Sequence, residues 1–151
     1  MSRDPKEEQS RWVLRRLSAP EGYCSAAARF VEDAPSAFDL ANLITVADVD
    51  RGGDEAGFTS YGAVHVYANG YEVESYLPGG DVLPLSGTSM AAPQVTNLAA
   101  KLLALKPDLT VGQLRDAILA GAEEKEIGPS KRIKLLHPRR SLELMEEEGD
   151  R

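Results

Sequence analysis

Apolar positions recur with two different periods along the chain, and the change from one to the other orders its elements. Leu43-Ile44-Thr45-Val46-Ala47-Asp48-Val49 is a short β-branched run, apolar on both faces, which predicts a buried strand of a parallel sheet in a central position. Arg51-Gly52-Gly53-Asp54-Glu55 reads as a polar turn. Ala63-Val64-His65-Val66-Tyr67-Ala68, Asn69-Gly70 and the run 71–76 predict a hairpin about a type I′ turn. In its second arm, Tyr71, Val73 and Ser75 alternate with Glu72, Glu74 and Tyr76, so one face is solvated.

Further on the period lengthens. Ala91, Val95, Leu98, Ala99, Leu102 and Leu103 recur at helical spacing, and Ala92 and Ala100 extend the apolar surface, which predicts a helix buried inside the fold. Lys106-Pro107-Asp108 ends it. Thr110 and Gln113 form a capping box for a second amphipathic helix through Leu114, Ala117 and Ile118 to about Gly121. Residues 132–138 read as a final edge strand, and a short helix from Ser141 trails into an acidic end. A β-branched run of the parallel-sheet type followed by amphipathic helices points to an α/β fold.

Composition narrows the classes. The chain has 151 residues, 42% of them hydrophobic and 27% charged, which is one ordinary globular domain's worth. A net charge of −7 disfavours nucleic acid as a partner. No stretch reaches the ~18 apolar residues of a membrane span, and residues 1–20 are too charged for a secretory signal. Cys24 stands alone, so it forms no internal disulfide, and with no histidine near it in sequence it reads as a small packed residue and not a nucleophile. Asp39, Asp48 and Asp50 do not have the spacing of an oxygen cage, so no metal and no cofactor is assigned.

The segment that carries chemistry is 85–96, Leu-Ser-Gly-Thr-Ser-Met-Ala-Ala-Pro-Gln-Val-Thr. Gly87 and Thr88 give a tight turn of small side chains, Ser89 opens the helix, and Pro93 is expected in its first turn, where a missing N–H costs nothing. Unpaired first-turn N–H groups and the helix dipole can hold an anion that forms beside the Ser89 hydroxyl, an arrangement suited to acyl transfer. Read without context, the same serine is also a good helix N-cap. His65, 24 residues before Ser89 and between valines, is expected to be structural and not the base of a His65–Ser89 dyad, and His137 beside Pro138 is expected at a surface or edge.

Gly87-Thr88-Ser89-Met90-Ala91-Ala92-Pro93 resembles the serine motif of the subtilisin-like serine peptidases. The resemblance runs from about Ala28 to Leu142. It takes in Pro35-Ser36-Ala37-Phe38-Asp39, the run 42–47, Phe58-Thr59-Ser60-Tyr61-Gly62, Asn69-Gly70 and Pro78-Gly79-Gly80. It implies an α/β fold with a mainly parallel sheet flanked by helices, present as the C-terminal portion of a subtilisin-like domain over residues 25–143, while by composition residues 1–24 are an unassigned polar lead segment that the resemblance does not reach and 144–151 an acidic tail. In the lead segment Trp12, Val13, Leu14 and Leu17 lie among Arg11, Arg15 and Arg16, a weakly amphipathic run that reads as solvent-exposed or as sequence not native to the fold, the alternative being a short helix that docks on the missing half.

The resemblance also implies that Ser89 is the nucleophile, that Gly87, Thr88 and Ser89 form the turn and one side of the oxyanion site, and that the substrate is a polypeptide. The family's aspartate, histidine and oxyanion asparagine would all lie further upstream. Only 88 residues precede Ser89, no Ala-Gly-Asn segment occurs among them, and residues 22–24 read Gly-Tyr-Cys. The expectation is therefore a fragment that is inactive alone and partnered by the missing N-terminal half of the catalytic domain. The alternative is a non-catalytic remnant or interaction module that pairs with another chain. Gln94 stands where many relatives carry a histidine, a departure that leaves the motif intact.

Overall fold

A computed structural model of the chain describes residues 24–27, 40, 42–56, 64–127 and 131–149. The segments 35–39 and 58–62, the lead segment up to residue 23 and the Cys24 side chain lie outside the described residues.

Among the described residues, seven strands and three helices follow one another along the chain. Strands β1 (Cys24–Ala27), β2 (Leu43–Val49) and β3 (Val66–Asn69) pair in parallel, with registers Cys24↔Leu43 and Val46↔Val66. A two-stranded antiparallel ribbon follows, β4 (Val73–Tyr76) with β5 (Val82–Leu85). Helices α1 (Thr88–Leu105) and α2 (Val111–Gly121) come next, then β6 (Glu123–Ile127), β7 (Lys131–Leu135) and α3 (Pro138–Gly149). The main sheet has the order β1-β2-β3-β7-β6, with β7 parallel to β3 and β6 antiparallel to β7. The architecture is α/β, with a mainly parallel sheet flanked by helices.

Burial follows the sequence pattern closely in β2, whose seven residues are all buried, because a strand paired on both sides and covered on both faces has no wet position. By strand parity Ile44 and Val46 point to one face, and there they pack with Val66 and Ala68 against Ala91, Val95, Leu98 and Leu102 of α1, Leu114 and Ile118 of α2, and Met145 of α3. Ala47, Val49, Tyr67, Ile127 and Ile133 close the other face. The Thr110 capping box forms as expected, with the hydroxyl accepting the Gln113 N–H at 3.3 Å and the Gln113 side chain accepting the Thr110 N–H at 2.9 Å.

The structure corrects the sequence reading in several places. There is no hairpin about Asn69-Gly70, since β3 pairs with β2 and β7, and β4 pairs with β5. Neither Asn69 nor Gly70 has the positive φ that a type I′ turn needs at both central positions. The β4–β5 ribbon turns instead at Gly79 and Gly80, both with positive φ, and is closed by the Leu77 N–H donating to Asp81 O at 2.8 Å. The expected alternation from Tyr71 to Tyr76 does hold, odd positions half-buried and even ones exposed.

Residues 131–135 are not an edge strand, because β6 lies outside them. Glu123-Glu124-Lys125-Glu126-Ile127 shows almost no apolar signal, as suits a charged edge. Helix α1 is not wholly inside. Its core stripe is buried, yet Thr96, Ala100, Leu103 and Leu105 are exposed. Helix α3 begins at Pro138, three residues before the expected start.

Candidate active site

In a parallel sheet the loops leaving the carboxyl ends of the strands gather at one edge, and ligand sites of α/β folds form there. Gly70 follows β3 at that edge, and its carbonyl accepts the Gly87 N–H at 2.8 Å. This bond brings the turn before α1 to the carboxyl end of the sheet. A second tie joins the chain after β3 to the same turn, the Glu72 N–H donating to Ser86 Oγ at 2.9 Å. A third comes from within α1, where Gln94 Nε2 donates to Asn69 O.

Gly70 is buried, and the space a Cβ would need is already taken. It would lie 2.8 Å from Gly87 O and 3.2 Å from Asp48 Cγ, with the Asp48 Cβ nearer still. The close seating of the turn therefore requires glycine there. Gly87 is the N-cap of α1, with φ 145° and ψ 164°, a conformation open in practice to glycine alone. It brings no side-chain cap, and no acidic residue occupies the first turn.

Thr88 and Ser89 are thus the first two helical residues, and Ser89 is exposed. It is not the N-cap, so the capping explanation of this serine is removed. Two details of the sequence reading change. The Met90 N–H is engaged, donating to Gly87 O at 2.8 Å, whereas among the described residues the Ser89 N–H has no recorded acceptor. Pro93 is the sixth helical residue and lies in the second turn, where its missing N–H removes the bond that the Ser89 carbonyl would otherwise accept. The outcome is an exposed hydroxyl at a helix start that, among the described residues, has no side-chain cap and no acidic residue in its own first turn, an arrangement able to stabilise a developing oxyanion.

Both histidines of the chain lie among the described residues. His65 lies just before β3, with its N–H donating to Thr45 O at 3.0 Å and its Nδ1 accepting the Thr45 N–H at 2.9 Å. Those bonds tie β2 to β3 at the amino end of β3, five residues and roughly 16 Å of strand away from Gly70. The histidine and the serine are at opposite edges of the sheet. His137 precedes α3, where its Nδ1 accepts the Arg140 N–H at 3.1 Å and its carbonyl accepts the Ser141 N–H at 3.2 Å, so it caps that helix. Its position before Pro138 was the only sequence signal for this role.

Two open clefts flank the start of α1. One, of about 450 Å³, is lined by Val73, Ser75, Met90, Gln94, Asn97 and Lys101. The other, of about 420 Å³, lies at the carboxyl ends of the strands among Val49, Asp50, Asn69, Gln94 and Leu135. Among the described residues no group of His, Cys, Asp and Glu is placed to hold a metal ion, and no helix is long and apolar enough to cross a membrane.

Comparison with known proteins identifies the family and the fold. The model of the Subtilase family matches residues 17–137. The thermostable alkaline protease of Halalkalibacterium halodurans is 39% identical over 77 residues, covering 50% of this chain and 21% of the relative. The subtilisin-like serine protease Pen ch 13 of Penicillium rubens is 44% identical over 66 residues, covering 43% of this chain and 17% of its own length. Among solved structures, a cold-adapted subtilisin-like serine proteinase superposes with a TM-score of 0.65 at 26% identity, covering 76% of this chain and 43% of that one. The prenylagaramide maturation protease PagA shares the fold, with a TM-score of 0.71 at 22% identity over 95% of this chain and 57% of that one. The chain spans about a fifth of the length of these curated relatives. With a family match over most of its residues and the same fold in solved subtilisin-like proteases, the chain belongs to the subtilase family of serine peptidases.

Proposed function

We propose that Ser89 is the nucleophile of a subtilisin-type endopeptidase, acylated by a polypeptide substrate, and that its proton acceptor comes from outside this chain. The exposed Ser89 side chain at a helix start with no side-chain cap and no acidic residue in its first turn carries the reading. In the reaction Ser89 Oγ forms a bond to the scissile carbonyl carbon and its proton passes to an imidazole. The resulting oxyanion takes the Ser89 N–H as one donor, the leaving amine departs with the proton, and water hydrolyses the ester. His65 is held at the far edge of the sheet and His137 caps α3, so neither histidine supplies that imidazole. Gly87 as the N-cap, with Thr88 and Ser89 as the first two helical residues, places the hydroxyl and one side of the oxyanion site.

The test is labelling by a fluorophosphonate, with the modified residue located by mass spectrometry. The chain alone is expected to react no faster than Ser89→Ala. Coexpression with the upstream half of a subtilase catalytic domain is expected to give a Ser89 adduct and peptide-bond cleavage. A Ser89 adduct in the isolated chain at the rate of an intact peptidase would refute the requirement for an external base.

A second reading, an interaction module that pairs with another chain without catalysis, is supported by the exposed apolar side chains Tyr76, Val82, Leu83, Leu103 and Leu105. Stable association with the upstream half, without any Ser89 adduct, would favour it.

A further inference from the structure

Resting on the nucleophile reading, we propose that Gln94 is a positioning residue for Ser89, pinning to the sheet end the helix start on which the hydroxyl stands. Two successive carbonyls at the carboxyl end of β3 each hold a different part of that helix start. Gly70 O accepts the Gly87 N–H, two residues before Ser89, and Asn69 O accepts from Gln94 Nε2, five residues after it. The buried stripe Ala91, Val95 and Leu98 sets which way the helix faces, and the two hydrogen bonds, one on either side of Ser89 and more than a helical turn apart, pin the stretch that carries the hydroxyl to the sheet end.

The backbone makes the second anchor necessary. The N-cap is a glycine, which offers no side-chain bond to the helix start, and Pro93 has deleted the hydrogen bond to the Ser89 carbonyl in the turn between the anchors. The first two turns of α1 are therefore held less firmly by their own helical bonds than the rest, and the sheet end substitutes for them. Asn69 is itself fixed, its Oδ1 accepting the Tyr71 N–H at 3.1 Å, so the Gln94 amide docks on an ordered partner. Gln94 is half-buried between the two clefts, and its reach to β3 depends on an amide donor at the end of two methylenes. Catalytic rate is sensitive to displacements of about 1 Å in a nucleophile, so a tilt of this turn is expected to register as rate.

Gln94→Glu is the decisive variant, because it keeps the size of the side chain and replaces the donor with a carboxylate facing a carbonyl oxygen. Gln94→His restores an N–H donor. Two measurements separate this proposal from the nucleophile reading. The first is amide hydrogen exchange at Gly87, Ser89 and Met90, with the denaturation midpoint, in the chain alone. The second is the fluorophosphonate rate at Ser89 in the complex with the upstream half. Gln94→Glu is expected to speed exchange at Gly87 by about tenfold and slow labelling by roughly tenfold or more, while the midpoint stays near wild type. Gln94→His is expected to recover most of both.

Unchanged exchange at Gly87 in Gln94→Glu overturns the proposal, and so does a loss that tracks global unfolding and is not recovered by Gln94→His. If the wild-type complex is never labelled, the nucleophile reading fails, and the exchange data still decide whether Gln94 sets the helix start.

Discussion

Gly87 and Gly70 place Ser89 by different means, and substitutions separate the two. At Gly87 the constraint is φ, so Gly87→Ala forces an L side chain into a strained region and is expected to cost about 1–3 kcal/mol by urea denaturation. At Gly70 the constraint is space, since a methyl there meets Asp48 and the Gly87 carbonyl. Gly70→Ala is expected to cost a similar ~1–3 kcal/mol through overpacking, and in addition to displace the Gly87 amide that Gly70 O holds. Gly112 in α2 meets nothing within 4 Å, so Gly112→Ala should leave stability unchanged or raise it by up to about 1 kcal/mol. Equal losses at Gly70 and Gly112 would show that the seat is not tight. The glycine of a Gly-Thr-Ser motif is visible in the sequence, whereas the need for glycine at position 70 exists only once Asp48 and Gly87 are brought against it from distant parts of the chain.

The β6–β7 hairpin and α3 show what an element requires from its neighbours. Lys131 of β7 pairs with Glu55 at 2.5 Å, and the Tyr67 hydroxyl donates to the other Glu55 oxygen at 3.1 Å, which fastens the hairpin to the turn after β2. Burial, reinforced by Glu55, lifts the Tyr67 phenol above its ordinary 10.0, and the hydrogen bond to Glu55 lifts the Lys131 ammonium above its ordinary 10.5. Both groups titrate higher in the folded chain than in the unfolded one. Their stabilisation is thus complete below the unfolded values and is lost as pH rises through the folded ones, in the window above about pH 10. Denaturation midpoints measured at neutral pH and again above pH 10 should fall less steeply in Tyr67→Phe than in wild type. A parallel fall in the two would remove Tyr67 from the account.

Helix α3 meets α2 where Gly121 faces Ser141, and a Cβ at 121 would stand 2.6 Å from the Ser141 Cα. Gly121→Ala is therefore expected to push the helices apart and destabilise the chain, and Ser141→Gly should fail to rescue it because the obstruction includes backbone. Recovery of the wild-type midpoint in the double variant would contradict this.

For the molecule as a whole, the question is what the exposed apolar surface does. Leu102, buried in the core, should cost about 2–5 kcal/mol when truncated to alanine. Leu105, 55% exposed, and Tyr76, 82% exposed, should cost little in the isolated chain. If these side chains meet the upstream half of a catalytic domain, Leu105→Glu and Tyr76→Glu will weaken that association while leaving the monomer's midpoint within about 0.5 kcal/mol of wild type. Titration of labelled upstream half against each variant measures it, and unaltered affinity in both would place the contact elsewhere.

Local rules were enough for the elements whose signals are contained in a few adjacent residues. The β-branched run of β2, the core stripe of α1, the Thr110 capping box and the Gly-Thr-Ser turn were legible because period, caps and turn chemistry act over one or two turns of chain. Pairing was not. Asn69-Gly70 has the composition of a hairpin turn but becomes a docking point, because β3 gains more from two parallel neighbours and a buried face than from folding back on residues 71–76. Likewise, β6 is a strand despite its charges because β7 offers it an edge. The serine was given by residue order, but its exposure, its separation from His65 and its anchoring through Gln94 arise from the packing of α1 on the end of the sheet, which no local pattern encodes.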